Sequence, residues 1–338
     1  MKVLVAGGAG YIGSTVVSAL EDHGHIPVIL DSLVTGRVEF TRHKIFYKGD
    51  IADSSLLNDI FMQHPDIEVC IHLAALIVVP DSVANPYEYY TENVAKSLAF
   101  FNHLKKLGCK KIVFSSSASL YDVVQDFKVV ETSPLKPSSP YARTKYMMEM
   151  ILADFCEAYE MKGIALRYFN LIGADPFMRS GAHLKHPSHL LAKLLETVRD
   201  ENSHFYLTGV NWPTRDGSGI RDYIHVWDLA LAHVKAIENF EDAFEKSTPS
   251  NKNYLVINLG TEKGVTVKEF VSIFEEVIGR EVKKVETSPR PGDIAGAYAS
   301  CEQAKYLIKW QAKLDIEQGI RDALKWDTIR KTIINYNK

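Results

Sequence analysis

Residues 2–13 read Lys2-Val3-Leu4-Val5-Ala6-Gly7-Gly8-Ala9-Gly10-Tyr11-Ile12-Gly13. A short apolar run ends in a glycine turn, and an amphipathic, helix-length segment follows at once. That is a strand, a tight turn and a helix in succession. Glycines at such a turn let the backbone come close to a pyrophosphate, and the helix N-terminus offers free N–H groups and a favourable dipole to the anion. A glycine pattern alone also fits a plain tight turn, so the residues around it must decide.

Outward from this stretch, further short apolar runs recur at Pro27–Leu30, Lys44–Tyr47, Val69–Leu73, Lys110–Ser115 and Gly163–Tyr168, separated by helix-length segments. Parallel strands need crossover connections, normally helices, so the alternation predicts a doubly wound parallel α/β sheet of Rossmann type. Asp31 closes the second run at the distance expected of an acid that hydrogen-bonds a ribose diol. A carboxylate there repels the extra phosphate of NADP, so NAD is the expected cofactor; the nearby Arg37 reads as a solvated loop arginine. Asp50-Ile51, beyond the third run, fits either an adenine contact or a helix cap.

After Tyr168 the alternation gives way to a loop-rich region, 170–187, then a helix near Leu190–Arg199 and mixed elements to the end. Residues 211–219 and 241–252 read as loops. The expected division is an NAD-binding Rossmann unit over 1–169, with later segments at about 220–260 returning to it, and a smaller mixed α/β substrate-binding lobe over 170–338. The 39 basic and 42 acidic residues leave a net charge of −3, which gives no global attraction to nucleic acid or to an anionic membrane. Met1 runs straight into a strand pattern, and no stretch reaches the ~20 apolar residues of a membrane span. Cys70, Cys109, Cys156 and Cys301 lack metal or redox spacing, so they read as reduced thiols in a cytoplasmic protein.

A second constellation is Tyr141-Ala142-Arg143-Thr144-Lys145 at the start of a predicted helix. Residues four apart share a face, and a lysine cation beside a phenol stabilises phenolate, making the tyrosine a usable base. Ser115-Ser116-Ser117 ends the fifth strand, where a hydroxyl at the carboxyl end of a sheet can face a substrate.

With these motifs, Leu73-Ala74-Ala75, Asn93, Tyr168-Phe169-Asn170, Gly219-Ile220-Arg221-Asp222-Tyr223-Ile224-His225-Val226 and Arg290-Pro291-Gly292-Asp293 complete a pattern. The chain resembles the extended short-chain dehydrogenases/reductases, and within them the UDP-glucose 4-epimerase family, over nearly its whole length. The resemblance implies an NAD-dependent isomerase of nucleotide-sugar metabolism that epimerises at C4 through a transient 4-keto sugar. It implies Tyr141 as base, Lys145 as its electrostatic partner and ribose contact, and Ser117 as a hydrogen-bond donor to the sugar oxygen. NAD would be held by Gly7, Gly10, Tyr11, Ile12, Gly13, Asp31, Ser32, Asp50, Ile51, Leu73, Ala74, Ala75, Asn93, Ser115 and Tyr168, besides the Tyr141–Lys145 pair. Asn170, His189, Leu190, Tyr206, Arg221, Arg290 and Asp293 would hold the nucleotide diphosphate and sugar, with Tyr206 aligned to a uracil contact. Planar guanidinium groups suit paired phosphate oxygens, although Arg221 could instead pair with Asp222.

Departures bear on substrate. Ile77 stands where some relatives have a lysine, Asp122 where glycine is frequent, and Ala297 where relatives vary between tyrosine and small residues, so N-acetylated sugars are expected to fit as well as plain hexoses. The register leaves Tyr298 as a competing occupant of that place. A 4,6-dehydratase would place Asp-Glu where this chain has Ser116-Ser117; no single residue separates a 4-reductase, and a non-catalytic NAD sensor could dispense with Tyr141 and Lys145. His183, His186 and His189 mimic a metal triad, but Pro187 breaks any helix and no carboxylate or cysteine joins them, so no metal is expected. The helix from Pro140 to Met161 is apolar on more than one face, as is 93–107, and a homodimer through these helices is the expected assembly.

Overall fold

The computed structural model describes residues 1–184, 189–200, 202–247, 253–289 and 294–336. Seven parallel strands form the main sheet. They are β1 (Lys2–Ala6), β2 (Ile26–Asp31), β3 (Ile45–Lys48), β4 (Ile67–His72), β5 (Lys111–Ser115), β6 (Lys162–Tyr168) and β7 (Tyr254–Leu259), in the order β7-β6-β5-β4-β1-β2-β3. The order reverses between β1 and β4, where a doubly wound sheet opens its ligand crevice at the carboxyl ends of the strands.

Side chains alternate across a strand, and both faces of this sheet are covered. In β1, Val3 and Val5 join a core with α1 (Tyr11–Asp22) and α6 (Val226–Glu238). Leu4 and Ala6 face the other way, toward α2 (Ser54–Gln63), α3 (Lys96–Lys106) and α4 (Pro140–Ala158). A separate core, built on Leu194, Phe205, Phe270, Phe274 and Ile320, joins α5 (Leu190–Arg199), α7 (Val267–Ile278) and α8 (Ile316–Ile333). No helix among the described residues is long and apolar enough to cross a membrane.

The seventh strand, β7, pairs with β6 from Tyr254↔Gly163 to Leu259↔Tyr168, within the 220–260 segment expected to return to the Rossmann unit. Two sequence expectations change. Phe240–Lys246 is a helix and not a loop: Phe240, Ala243 and Phe244 are three and four apart and bury one face, which overrides the polar composition. The helix expected over 93–107 opens with a π-helical stretch, Tyr90–Ala95, before α3 begins. Such widened turns often sit at functional sites.

Candidate active site

The glycine turn is shaped by contacts that leave no room for side chains. Gly7 has φ +85°, and a Cβ there would lie 2.6 Å from the Ala74 nitrogen, so this residue must be glycine on both counts. A Cβ on Gly13 would lie 2.0 Å from the Gly7 carbonyl oxygen. Gly10 differs: its nearest neighbour would be 3.6 Å away, and it caps α1 without any side-chain bond to the free N–H groups. The helix N-terminus is thus bare on its open side, as an anion requires. Leu73 and Ala74 close the other wall, their N–H groups donating to the Ala6 carbonyl at 2.8 and 3.0 Å.

Asp31 is buried, with one carboxylate oxygen accepting from the Ala9 N–H (2.9 Å) and the other from the Leu33 N–H (2.8 Å). Burial pushes its acid up while those two bonds oppose. The acid is therefore locked to the glycine turn, and each oxygen keeps a lone pair for a diol. Ser32 beside it is exposed. Arg37 is not the solvated arginine expected: its guanidinium stacks 5.2 Å from the Tyr336 ring centre. Asp50 is not a helix cap, a role taken by Asp53, which accepts from the Ser55 and Leu56 N–H groups at 3.0 Å. Instead Asp50 accepts from the Ala52 N–H (2.9 Å) and from Lys96 Nζ (2.6 Å), with Ile51 buried behind it. These features fit a dinucleotide: a turn open only at Gly10, an uncapped helix end and a fixed carboxylate at the ribose position.

Ser139 and Pro140 start α4: the Ser139 hydroxyl accepts from the Ala142 N–H at 3.1 Å, and proline occupies a first-turn position where its missing N–H costs nothing. Tyr141 sits in that first turn, half-buried, with Lys145 one turn on and buried. Burial pushes the Tyr141 phenol up, and the nearby Ser117 hydroxyl opposes that rise. Lys145 Nζ donates to the Ser115 carbonyl at 2.7 Å, and burial lowers its pKa to about 7. Desolvation is the largest influence on both groups.

Ser115 and Tyr168 join their hydroxyls beneath this pair. Asn93 was expected to line the cofactor, but its amide is already engaged. It accepts from the Leu76 N–H (2.7 Å) and donates to the Leu76 carbonyl (2.9 Å) and Thr144 (3.1 Å). It ties the loop after β4 to the helix that carries Tyr141 and Lys145. Ala75, next to that loop's buried wall, is half-buried. Tyr11 hydrogen-bonds the Gly173 carbonyl (2.6 Å), and Ile12 packs on the core.

Around the sugar side, Asn170 and His189 are exposed, Leu190 begins α5, and Tyr206 is 61% exposed on the short strand Phe205–Thr208 rather than packed away. Arg221 does not pair with Asp222. Asp222 is buried and spends its carboxylate on the Thr261 and Ala299 N–H groups (2.8 and 3.1 Å), whereas Arg221 donates to the Ile220, Ala295 and Ile294 carbonyls. Arg290, Asp293 and His186 lie outside the described residues. Ala297 is buried in a cluster with Tyr121 and Val129, against which Ala118 and Phe169 pack. Tyr298, its neighbour in the chain, lines a hollow with Arg215, Glu262 and Gly264. His183 bonds the Thr35 carbonyl at 2.8 Å and stacks on Phe40. Among the described residues, no three His, Cys, Asp or Glu side chains converge on a metal position.

Sequence reasoning missed the buried group behind Ser116. Glu149 accepts from the Ser116 hydroxyl and from Arg167 Nε (2.8 Å) and Nη2 (2.5 Å). Its signal was present, since Tyr141, Lys145 and Glu149 are spaced four apart along one helix face.

Residues 3–256 match the family model described as the NAD dependent epimerase/dehydratase family. The chain is 38% identical to the UDP-glucose 4-epimerase of Bacillus subtilis (strain 168), covering 97% of each. It superposes with a TM-score of 0.91 and 33% identity on a UDP-glucose-4-epimerase from Stenotrophomonas maltophila with bound NAD and formylated UDP-arabinopyranose, covering 98% of this chain and 99% of that one. It is also similar to the UDP-Glc/GlcNAc 4-epimerase of Campylobacter jejuni, with a TM-score of 0.79, 32% identity and coverage of 97% and 99%.

Proposed function

The chain belongs to the NAD dependent epimerase/dehydratase family, and from that premise we propose that it is an NAD-dependent UDP-sugar 4-epimerase interconverting UDP-glucose and UDP-galactose. The observation that carries this reading is Tyr141 in the first turn of α4 near the Ser117 hydroxyl, with Lys145 buried one helical turn on and bonded to the Ser115 carbonyl, at the carboxyl end of the sheet and beside a turn open only at Gly10.

The residues that would hold NAD are the glycine turn, Asp31, the Leu73–Ala75 wall and Lys145. When bound, NAD supplies the reversible oxidation at C4 of the sugar. Tyr141 takes the proton from the 4-hydroxyl and later returns it to the same oxygen, once the 4-keto sugar has turned its other face to the site. Ser117 holds that oxygen and the phenol together, so the proton moves over a fixed, short path. Lys145, anchored on the Ser115 carbonyl, sets the positive charge that favours phenolate. Glu149 is bound to Arg167 and Ser116, so it is not a free carboxylate for the elimination of a dehydratase.

Arg221, Asn170, His189, Tyr206, Arg290 and Asp293 are the residues we assign to the nucleotide diphosphate. The small side chain at Ala297, where relatives vary between tyrosine and small residues, extends the substrates to UDP-N-acetylhexosamines, a breadth supported by the similarity to a UDP-Glc/GlcNAc 4-epimerase. We assign residues 1–169, with about 220–260, to cofactor binding and 170–338 mainly to the sugar nucleotide, in a cytoplasmic homodimer joined through α3 and α4. Leu98, Met150 and Tyr159 on these helices are exposed at 43%, 44% and 43%.

The test is NMR analysis of products from a panel of UDP-hexoses and UDP-N-acetylhexosamines, without added NAD. Epimers alone are expected; dehydrated or reduced products would overturn the assignment. Tyr141→Phe should lower turnover by about 10²–10⁴-fold, and wild-type turnover in that variant would refute the role of Tyr141.

A further inference from the structure

Tyr141, Lys145 and Glu149 lie along one face of α4, and the third of these has no part in the proton transfer. It is nonetheless a fully engaged carboxylate. Glu149 is 4% exposed and forms a two-pronged ion pair with Arg167, itself 4% exposed, at 2.8 and 2.5 Å. The Ser116 hydroxyl adds a further bond to the same carboxylate. Ser116 lies between the two serines that matter: Ser115, whose carbonyl anchors Lys145, and Ser117, which touches Tyr141. Arg167 extends the chain outward, donating to the Tyr121 hydroxyl at 3.0 Å. Tyr121 packs on Ala297 and donates to Asn258 at 2.7 Å.

On these contacts we propose that Glu149, clamped by Arg167 and Ser116, is a positioning residue that holds the end of β5 against α4 and keeps Lys145 charged beside Tyr141. The inference rests on the epimerase reading and adds to it a residue that reaches neither substrate nor cofactor. The groups facing Lys145 make the electrostatic half specific. From β4 comes His72, whose pKa burial drives down to about 3, so it is neutral. From β5 come the Ser115 carbonyl and the Phe114 ring at 5.1 Å. Tyr168 on β6 is a protonated phenol held by Ser115. On α4 itself stand Tyr141 and Glu149, and the Glu149 carboxylate is the charge that opposes the lowering of Lys145 by burial. Around Glu149 stand Ser116, Arg167 and, from β7, Tyr254, whose phenol is pushed far up. A lysine buried without a counter-charge surrenders its proton near neutrality, and it would then lend Tyr141 no positive charge.

The experiment reads Lys145 directly. In the NAD-loaded protein labelled with [13Cε]lysine, its resonance is assigned with Lys145→Arg and titrated by NMR, alongside the pH profile of kcat. Glu149→Gln removes the carboxylate but leaves the Arg167 cation, so the Lys145 midpoint should fall by about one pH unit or more, and the pH limit above which kcat fails should fall with it. Glu149→Gln/Arg167→Met removes both charges, and its midpoint should lie between that of the single variant and wild type. If the single variant does not fold, the charge-balanced double variant carries the test. Wild-type midpoints in the variants, or a double variant that falls as far as the single one, would overturn the proposal and leave Glu149 a packing residue. Expected midpoints in a protein that epimerises no UDP-sugar would leave the Glu149–Lys145 coupling standing and refute the assigned reaction instead.

Discussion

Substituting alanine at Gly10 and at Gly13 should separate cofactor binding from folding, because the two glycines exist for different reasons. At Gly13 the new methyl would lie 2.0 Å from the Gly7 oxygen and 2.8 Å from Gly8 Cα, both rigid backbone. Ordinary contact lies more than an ångström farther out, so α1 must lift off the turn. Overpacking of this kind costs at least about 2–3 kcal/mol. With an unfolding entropy near 2.1 cal/mol/K per residue, that is on the order of 3–5 °C in Tm for a chain of this length. At Gly10 the methyl would meet nothing nearer than 3.6 Å, and φ −79°, ψ 179° suits any residue. Loss of a favoured cap residue and the gain from a stiffer unfolded chain are each below about 1 kcal/mol and opposite in sign. The Gly10 methyl does fill the space through which a pyrophosphate approaches the helix end. Losing one charge-assisted bond there, about 1.5–3 kcal/mol, weakens NAD binding by about 10- to 150-fold. Melting of the NAD-stripped proteins, with NAD titration by calorimetry, reads both effects. Gly10→Ala should melt like wild type and lose NAD; Gly13→Ala should lose both. A Gly10→Ala protein that binds NAD within twofold of wild type would refute the argument that the open side of this turn is the phosphate site.

Ala297→Tyr should abolish turnover of UDP-N-acetylhexosamines while UDP-glucose turnover persists; equal kcat/KM on both classes would sink the view that this residue sets pocket size. Lys145→Met should raise Tm most below about pH 7, because burial penalises a lysine cation in the fold, and the gain should shrink as pH rises toward the ordinary lysine pKa. A Tm difference independent of pH would show that Lys145 is not a buried cation. Asp31→Ser removes the carboxylate that repels a 2′-phosphate and leaves the Ala9 N–H short of its acceptor, so NAD affinity should fall about 10-fold or more while NADP affinity rises. Unchanged NAD-to-NADP preference by fluorescence titration would contradict the ribose assignment.

What could be read in the sequence was what local chemistry determines. The turn after Ala6 needs glycine because of contacts within a few residues and one neighbouring strand, so its spacing is visible in the chain. Ser139-Pro140 before Tyr141 likewise announces a helix start. Other features depend on residues far apart. Arg221 and Asp222 are adjacent, yet one bonds the carbonyls of Ile294 and Ala295 and the other the backbone of Thr261 and Ala299. No spacing rule separates those fates. Asn93 looked like a lining residue, but its amide closes on Leu76 and Thr144, contacts that exist only once β4, α4 and the π-helical turn have met. The helix at Phe240–Lys246 failed for the opposite reason, since three buried residues outweighed a polar average.

The pairing of Tyr141 with Lys145 shows why such a motif is insufficient by itself. Burial acts on the two groups in opposite directions, raising the phenol and lowering the amine, so a dry site with only these two residues would hold a neutral tyrosine beside a neutral lysine. That state has no base. The Ser117 hydroxyl, which draws the phenol down, and the Glu149 carboxylate, which holds the amine up, oppose both tendencies. Both are fixed by one piece of backbone, residues 115–117, which anchors Lys145 through a carbonyl, Glu149 through a hydroxyl and Tyr141 through another hydroxyl. Displacing that strand end would therefore change the proton affinity of base and lysine together. For this reason substitutions at Ser116, which is buried with its hydroxyl on Glu149, should lower kcat more than they raise KM, and a purely KM effect would place the tuning elsewhere.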